Sequence, residues 1–253
     1  MQRMLIALVI ASGCCAIPGR AQELPNQAPP PHDLGVRGHI EGLDIPHIPG
    51  APFRGKLVVT LTNQWADGTT VRASFFNLVA RDSQGRVHQE RRTIEPVGSN
   101  RESKVTSISI FDTPARTRIT CEVAEHICKK TNFVPQVRFW DEPEGLSRDG
   151  KSYLTREKKG TELLNAHAVE RTLETRTTNA GAEGNDKPLV STREFWYSPE
   201  LKINLAVKRI CACGSTQDLQ LKELQLDEPE ESLFQPPSGF TMVDLRKNPT
   251  PGY

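Results

Sequence analysis

The residues best suited to chemistry in this sequence are the two cysteines of Cys211-Ala212-Cys213, which follow the basic pair Lys208-Arg209. A thiolate beside positive charge is stabilised and can attack disulfides, so the two cysteines could form a redox centre. A structural disulfide to another cysteine is the simpler alternative, because it needs no special environment. Zinc binding by four thiolates is a third alternative, although the spacings C-x6-C and C-x-C differ from those of zinc knuckles.

Cys121 and Cys128 are spaced for a disulfide across a β-hairpin. If Ala124-Glu125 forms the turn, counting outward places Cys121 directly opposite Cys128. Directly opposed residues have the short Cβ separation that a disulfide requires. Bridges from this hairpin to Cys211 or Cys213 remain alternatives.

Two acidic stretches contain residue types found in catalytic or metal sites. Glu122, Glu125 and His126 could form an acid–base cluster, but at a hairpin tip solvated charge is the usual interpretation. Residues 141–149 resemble a Ca²⁺ loop only in composition, because Gly145 arrives one position early and Pro143 occupies a ligand position. We therefore interpret both stretches as exposed loops.

No common catalytic motif is present in the sequence. It lacks a G-x-S-x-G elbow, a P-loop, a G-x-G-x-x-G loop and an H-E-x-x-H helix. Three histidines, His32, His39 and His47, lie among acids in a Pro/Gly-rich segment and could bind metal. Solvated linker histidines are the commoner explanation, so we predict no catalytic residues, no metal site and no cofactor.

The N-terminus reads MQRMLIALVIASGCCAIPGRAQ and predicts a secretory signal peptide over residues 1–21. Its apolar core is too short to span a bilayer as a helix. Alternatively, Ala11-Ser12-Gly13-Cys14 resembles a bacterial lipobox, in which Cys14 would be lipidated. We expect a periplasmic or secreted protein, or one that is lipid-anchored at Cys14.

The net charge limits which partners the protein could bind, and the cysteine count indicates how its thiols are used. The chain carries 32 basic and 31 acidic residues, and removal of residues 1–21 takes away Arg3 and Arg20 and no acid. The remaining net charge of −1 gives no electrostatic footprint for nucleic acid. No other apolar stretch approaches membrane length, so we expect no integral membrane segment after signal removal. The four cysteines that remain favour disulfides in an exported protein.

The rest of the chain predicts one β domain between two irregular ends. Residues 22–52 are rich in proline and glycine and predict a linker or wrapping arm, residues 53–245 a single domain, and residues 246–253 a disordered tail. From Phe53 onward the hydrophobic period is two, with hairpin signals between strands, which predicts an antiparallel sheet that curls or closes. Short helices are expected only around Ser198–Leu201 and Glu228–Leu233.

The alternation of strands near the C-terminus predicts which side chains share a face. Phe195 and Tyr197 lie on one face of a strand, and the parity change between Leu221 and Leu224 predicts a bulge near Lys222-Glu223. Aromatic and apolar residues of three strands form a candidate ligand cavity, although ordinary core is the alternative interpretation. They are Phe75, Phe76, Phe195, Trp196, Tyr197, Leu205 and Val207.

The segment from Gly160 to Val243 resembles the last half of the LolA/LolB/RseB superfamily of periplasmic proteins. The resemblance lies in "GTELLNAHAVERTLETR", in "REFWYSPELKINLAVKRI" and in "LQLKELQLDEPEESLFQPPSGFTMV". The segments "HIEGLDIPHIPGAPFRG", "WADGTT" and "ARDSQGRVHQERR" resemble a group of secreted bacterial proteins with the same ending. The resemblance implies a strongly curved antiparallel sheet, an incomplete barrel with few short helices. It also implies a hydrophobic cavity for a lipid, an acyl chain or a partner's apolar segment.

Three functions are consistent with these observations. The first is a non-enzymatic periplasmic binding protein for a lipid or acyl chain, which predicts an apolar cavity. The second is an RseB-like envelope-stress or regulatory module that binds a lipidated or envelope protein, which predicts a filled core and an exposed apolar patch. The third is a thiol or metal protein using Cys211 and Cys213, which predicts titratable thiols.

Overall fold

The computed structural model describes residues 43–133 and 142–246. The predicted signal peptide, the candidate lipidation site Cys14, the arm up to residue 42 and the tail from residue 247 lie outside the described residues.

Alternating burial defines the strands. In β1 (Phe53–Gln64) the residues Phe53, Leu57, Val59 and Leu61 are buried and their neighbours are partly exposed, which is the period of two expected for a strand. The other strands are β2 (Thr70–Arg81), β3 (Val87–Arg92), β4 (Glu95–Pro96), β5 (Val105–Asp112), β6 (Thr117–Glu122), β7 (Ile127–Asn132), β8 (Gly145–Leu146), β9 (Ser152–Leu164), β10 (His167–Thr178), β11 (Leu189–Ser198), β12 (Ile203–Ile210), β13 (Thr216–Gln225) and β14 (Thr241–Asp244).

The fourteen strands within residues 43–133 and 142–246 belong to one sheet. Thirteen of them follow the order β14-β7-β6-β5-β3-β2-β1-β13-β12-β11-β10-β9-β8, while β4 pairs with β2 beside this path. The two end strands do not pair with each other, so the sheet is open. Every pairing is antiparallel except that of β14 with β7, which is parallel. The mainly β, open and curved antiparallel sheet predicted from the sequence is confirmed.

One of the two short helices is found where the sequence predicts it. A 3₁₀ helix covers Glu231–Phe234 and overlaps the predicted Glu228–Leu233. The prediction around Ser198–Leu201 was wrong, because this stretch is the end of β11 and a tight turn. Lys202 closes the turn with a φ of 53°, and the short connection between two paired strands leaves no room for a helix.

The bulge predicted near Lys222-Glu223 is confirmed. The pairing of β1 with β13 shifts between Arg54 and Lys56, and Glu223 adopts a left-handed φ of 52°. The extra residue turns the Glu223 side chain back toward β1, where its carboxylate accepts a hydrogen bond from Lys56 Nζ at 3.0 Å. The bulge therefore bends β13 while keeping its pairing with β1.

Residues 43–52 form a wrapping arm over the main core. Leu43 and Ile45 belong to the same buried cluster as the alternate residues of β1 and β2. Gly85 approaches the arm so closely that a Cβ at this position would lie 2.9 Å from the carbonyl carbon of Ile48. The arm therefore requires a glycine at position 85, in the turn between β2 and β3.

Hydrogen bonds from Arg81 hold the arm against the sheet. Its side chain is fully buried, and it donates hydrogen bonds to the carbonyl oxygens of Ala51 (2.9 Å), Pro46 (3.0 Å) and Leu201 (2.6 Å). Burial lowers the pKa of this guanidinium to about 10, with a small opposing effect from Tyr197. The group remains charged at neutral pH and ties together the arm, β2 and the turn after β11.

A smaller apolar cluster lies under the 3₁₀ helix. Ala80, Ile110 and Phe234 form its buried part. The His88 Nδ1 donates a hydrogen bond to the carbonyl oxygen of Leu233 at 2.7 Å, and burial lowers the pKa of His88. This contact holds the 3₁₀ helix against β3.

Candidate binding site

One face of the sheet, here called the inner face, carries Val59 and the main core. Cross-strand pairing places five apolar residues in one row on this face, from β11 through β12, β13 and β1 to β2. The row consists of Phe195, Val207, Leu219, Val59 and Phe75.

Burial changes along this row. Val59 and Leu219 are almost completely buried, whereas Val207 and Phe195 are only partly buried. Leu205, the predicted cavity residue next to Val207 on this face, is buried in the main core together with Phe75. The inner face is therefore filled at its centre by the protein's own side chains and becomes accessible toward β11.

The remaining aromatic residues of the candidate cavity are placed differently. Phe76 lies on the opposite face from Phe75, where the Arg92 guanidinium is 4.3 Å and Lys56 Nζ 5.3 Å from its ring centroid. Trp196 packs against the margin of the main core, and its indole N–H donates to Glu162 Oε1 at 2.6 Å. Tyr197 is partly buried on β11, where it pairs with Glu170 of β10.

Two pockets on the described surface have mainly polar linings. The larger, of about 370 Å³, lies beside the bulge of β13 and is lined by Asn165, His167, Gln220, Lys222, Glu223 and Leu224. The smaller, of about 90 Å³, is lined by Glu174, Arg176, Ser191, Arg193 and Arg209. None of the seven predicted cavity residues lines either pocket.

The four cysteines of the described chain form two disulfides. Cys121 pairs directly with Cys128 across the β6–β7 hairpin, with a Cα–Cα distance of 3.9 Å, as the count from the turn predicts. Cys211 is bonded to Cys213 in the turn between β12 and β13, and not to the other hairpin. The alternative bridges between the two hairpins are thus not those found in the structure.

The sequence interpretation missed a charged row beside the apolar one. Arg156 pairs with Glu174, Glu174 with Arg193, and Arg193 with Arg209 across four neighbouring strands. Arg193 precedes Phe195 by two residues and Arg209 follows Val207 by two, so the same alternation places both arginines on the inner face. The spacing was present in the sequence, but the cross-strand register that aligns the arginines was not.

The other candidate chemistry does not assemble into a site. Within residues 43–133 and 142–246, no group of three His, Cys, Asp or Glu residues is arranged to hold a metal ion. His126 occupies the tip of the β6–β7 hairpin with a φ of 53°, and its ring contacts Phe240. Among the helices of the described chain, none is long and apolar enough to cross a membrane.

No protein-family model matches this chain, and no curated protein matches it in sequence. Among solved structures it is similar to MucB, at 11% identity and a TM-score of 0.35, with 76% of this chain and 60% of that chain covered. It is also similar to the MucA/MucB complex of Pseudomonas aeruginosa, at 12% identity and a TM-score of 0.37, with 76% and 58% covered.

A LolA superfamily protein from Nitrosomonas europaea is similar at 10% identity and a TM-score of 0.27, with 74% of this chain and 91% of that chain covered. The chain spans about 60% of the length of the MucB chains that it matches. With TM-scores below 0.5, these matches carry no argument about a ligand or a partner. The likeness concerns the fold alone.

Proposed function

We propose that this protein is a non-enzymatic binding protein of the bacterial envelope that holds an apolar chain, from a lipid or an acylated partner, against the inner face of its sheet. The observation that supports this proposal is the apolar row, which runs from the buried core to the partly buried Val207 and Phe195. An apolar chain laid across these two residues would extend the core by one more layer.

Area burial would supply the binding energy. Complete burial of an aliphatic or aromatic side chain contributes about 1.5–3 kcal/mol, so the passage of Phe195 and Val207 from partly to fully buried would contribute about 2 kcal/mol in total. Burial of the ligand's own surface would add about 25 cal/mol per Å². Binding of this kind needs no cofactor and no catalytic residue.

Export belongs to the same proposal. The signal peptide over residues 1–21 would deliver the protein to the periplasm or the medium, with lipid anchoring at Cys14 as the alternative. Both disulfides suit an oxidising compartment. The expected partners are an apolar ligand or a lipidated envelope protein.

Native mass spectrometry of the protein exported from a bacterial host, compared with its denatured mass, tests this proposal. A lipid-sized adduct that is lost on denaturation is expected in the wild type and in Val190→Ser, and it should be depleted in Phe195→Ser. Val190 is the matched control, because it lies on the same strand as Phe195 but on the opposite face. A wild-type protein without adduct, or equal adducts in both variants, would contradict the proposed site.

A second candidate function, an RseB-like interaction module, is favoured by an exposed apolar patch on the outer face, opposite the inner face. Leu146 pairs with Tyr153, Tyr153 with Thr177, and Thr177 with Val190, so three apolar residues share one row. They are 64%, 50% and 49% exposed. Under this alternative the exported protein carries no adduct, and Tyr153→Lys disrupts capture of an envelope partner that Phe195→Ser leaves intact.

The third candidate, a thiol or metal protein, has the least support. It requires titratable thiols at Cys211 and Cys213, and the structure bonds these two cysteines to each other. A denatured mass four hydrogens below the fully reduced value would agree with two disulfides.

A further inference from the structure

The smaller pocket is assembled by neighbouring strands of the inner face. Arg176 pairs with Ser191 between β10 and β11, Glu174 pairs with Arg193, and Arg193 pairs with Arg209 on β12. Because these positions differ by two within each strand, all five side chains lie on one side of the sheet. They surround a volume of about 90 Å³, which is room for several waters or one tetrahedral oxyanion.

Several arginines meet around this pocket. The carboxylate of Glu174, which is only 6% exposed, accepts a hydrogen bond from Arg156 Nε at 3.0 Å and forms an ion pair with Arg156 Nη2 at 2.9 Å. Arg176 makes a short ion pair with Glu142 and donates to Ser152 Oγ at 3.2 Å. Arg193 and Arg209 bring two further guanidinium groups to the same pocket.

The arginines around the pocket also lower the pKa of a neighbouring acid. The pKa of Glu142 is held below its usual range, first by the hydrogen bond from Arg176 and then by the positive charges of Arg176, Arg156 and Arg193. Three arginines therefore act on the same small region of the inner face.

The direct opposition of Arg193 and Arg209 is the second observation that points to an anion. Like charges directly opposite each other on neighbouring strands repel and destabilise the pairing. Both arginines take part in other interactions as well, so the argument rests on their convergence and not on either being free. An anion bound between them would accept hydrogen bonds from both guanidinium groups.

We propose that Arg176, Arg193, Arg209 and Ser191 form a binding site for a tetrahedral oxyanion of the phosphate class, either free phosphate or a phosphate monoester. Guanidinium groups form bidentate hydrogen bonds with such oxygens, and the serine hydroxyl adds one further hydrogen-bond donor. Phe195 and Val207 lie next to the pocket on the same face, so a monoester with an apolar tail could place its head at the arginines and its tail on the apolar row.

Calorimetric titration of the exported protein with inorganic phosphate at low ionic strength tests the site. We expect saturable binding with a Kd of about 1 mM or tighter. Arg209→Gln and Arg193→Gln should each weaken it about tenfold, the equivalent of one strong contact. Lys208→Gln removes the same charge one residue away on the opposite, exposed face, and it should leave the Kd unchanged.

Three results would overturn the site: no saturable heat with phosphate, equal weakening by Lys208→Gln, or unchanged binding in both arginine variants. If one arginine variant does not fold, as judged by circular dichroism, the other one decides. A phosphate-dependent rise in the Tm of the wild type gives a reading that needs no variant.

A second titration, with decyl phosphate below its micelle concentration, separates the two sources of the phosphate group. This titration rests on the proposed function. Tighter binding than inorganic phosphate, lost in Phe195→Ser while inorganic phosphate binding is kept, assigns the site to the head of an amphiphile. Equal binding of the two compounds assigns it to free phosphate, which keeps the arginine site and contradicts the apolar-chain proposal.

Discussion

Replacement of Arg81 by methionine should release the arm from the sheet. Methionine fills a similar volume but donates no hydrogen bond, so the carbonyl oxygens of Pro46, Ala51 and Leu201 lose their donors. Each buried carbonyl without a donor costs about 1–3 kcal/mol. Removal of a buried charge, whose pKa burial lowers to about 10, offsets about 1–3 kcal/mol of this. We expect a net loss of about 2–5 kcal/mol in the free energy of unfolding.

Urea denaturation measures the loss of global stability, and hydrogen exchange measures the release of the arm. The denaturation midpoint should fall in Arg81→Met, and amide exchange of residues 43–52 should accelerate more than that of β9 and β10. Arg72→Met is the matched control, because Arg72 lies on the same strand with an exposed side chain. Equal stability of the two variants within about 0.5 kcal/mol, or unchanged exchange in the arm, would refute the role given to Arg81.

Two further predictions concern the contact between the arm and the sheet. Gly85→Ala should cost about 2–4 kcal/mol, because it combines a φ of +83° with a Cβ 2.9 Å from the carbonyl carbon of Ile48. Gly68 has a similar φ of +86°, but a Cβ there would enter open space, so Gly68→Ala should lower the free energy of unfolding by only about 1 kcal/mol. Equal losses for the two variants in thermal unfolding would contradict the close approach at Gly85. The pKa of His47 is lowered to about 4, by burial first and by the charge of Arg81 second. At this position the unfolded chain therefore binds a proton more readily than the folded protein does. The contribution of neutral His47 to the free energy of unfolding is fully present above pH 6.5 and should be lost as the pH falls toward 4. The loss should be roughly 1–2 kcal/mol after allowance for solvent screening. His47→Phe should flatten this part of the pH–stability curve, and an unchanged slope would exclude His47 as its source.

Local patterns in the sequence determined most of the strands and one covalent link. Alternation of apolar residues identified β1 and β12, and counting outward from a turn placed Cys121 opposite Cys128. These features involve residues close together in the chain, so their geometry follows from the strand period alone. Strand β9 has only a weak local signal, because the stretch Arg156–Lys159 is largely exposed on both faces and shows no alternation.

The tertiary structure alone decided how distant segments meet. Burial of the arm on the main core, the three carbonyl partners of Arg81 and the parallel pairing of β14 with β7 join residues far apart in the chain. The opposition of Arg193 and Arg209 likewise depends on the register between β11 and β12, which contains a shift between Trp196 and Tyr197. A period of two tells which residues share a face of one strand, but only the register tells which residues of the next strand they meet. The chain thus encodes its strands locally, while the candidate binding surfaces arise from their alignment.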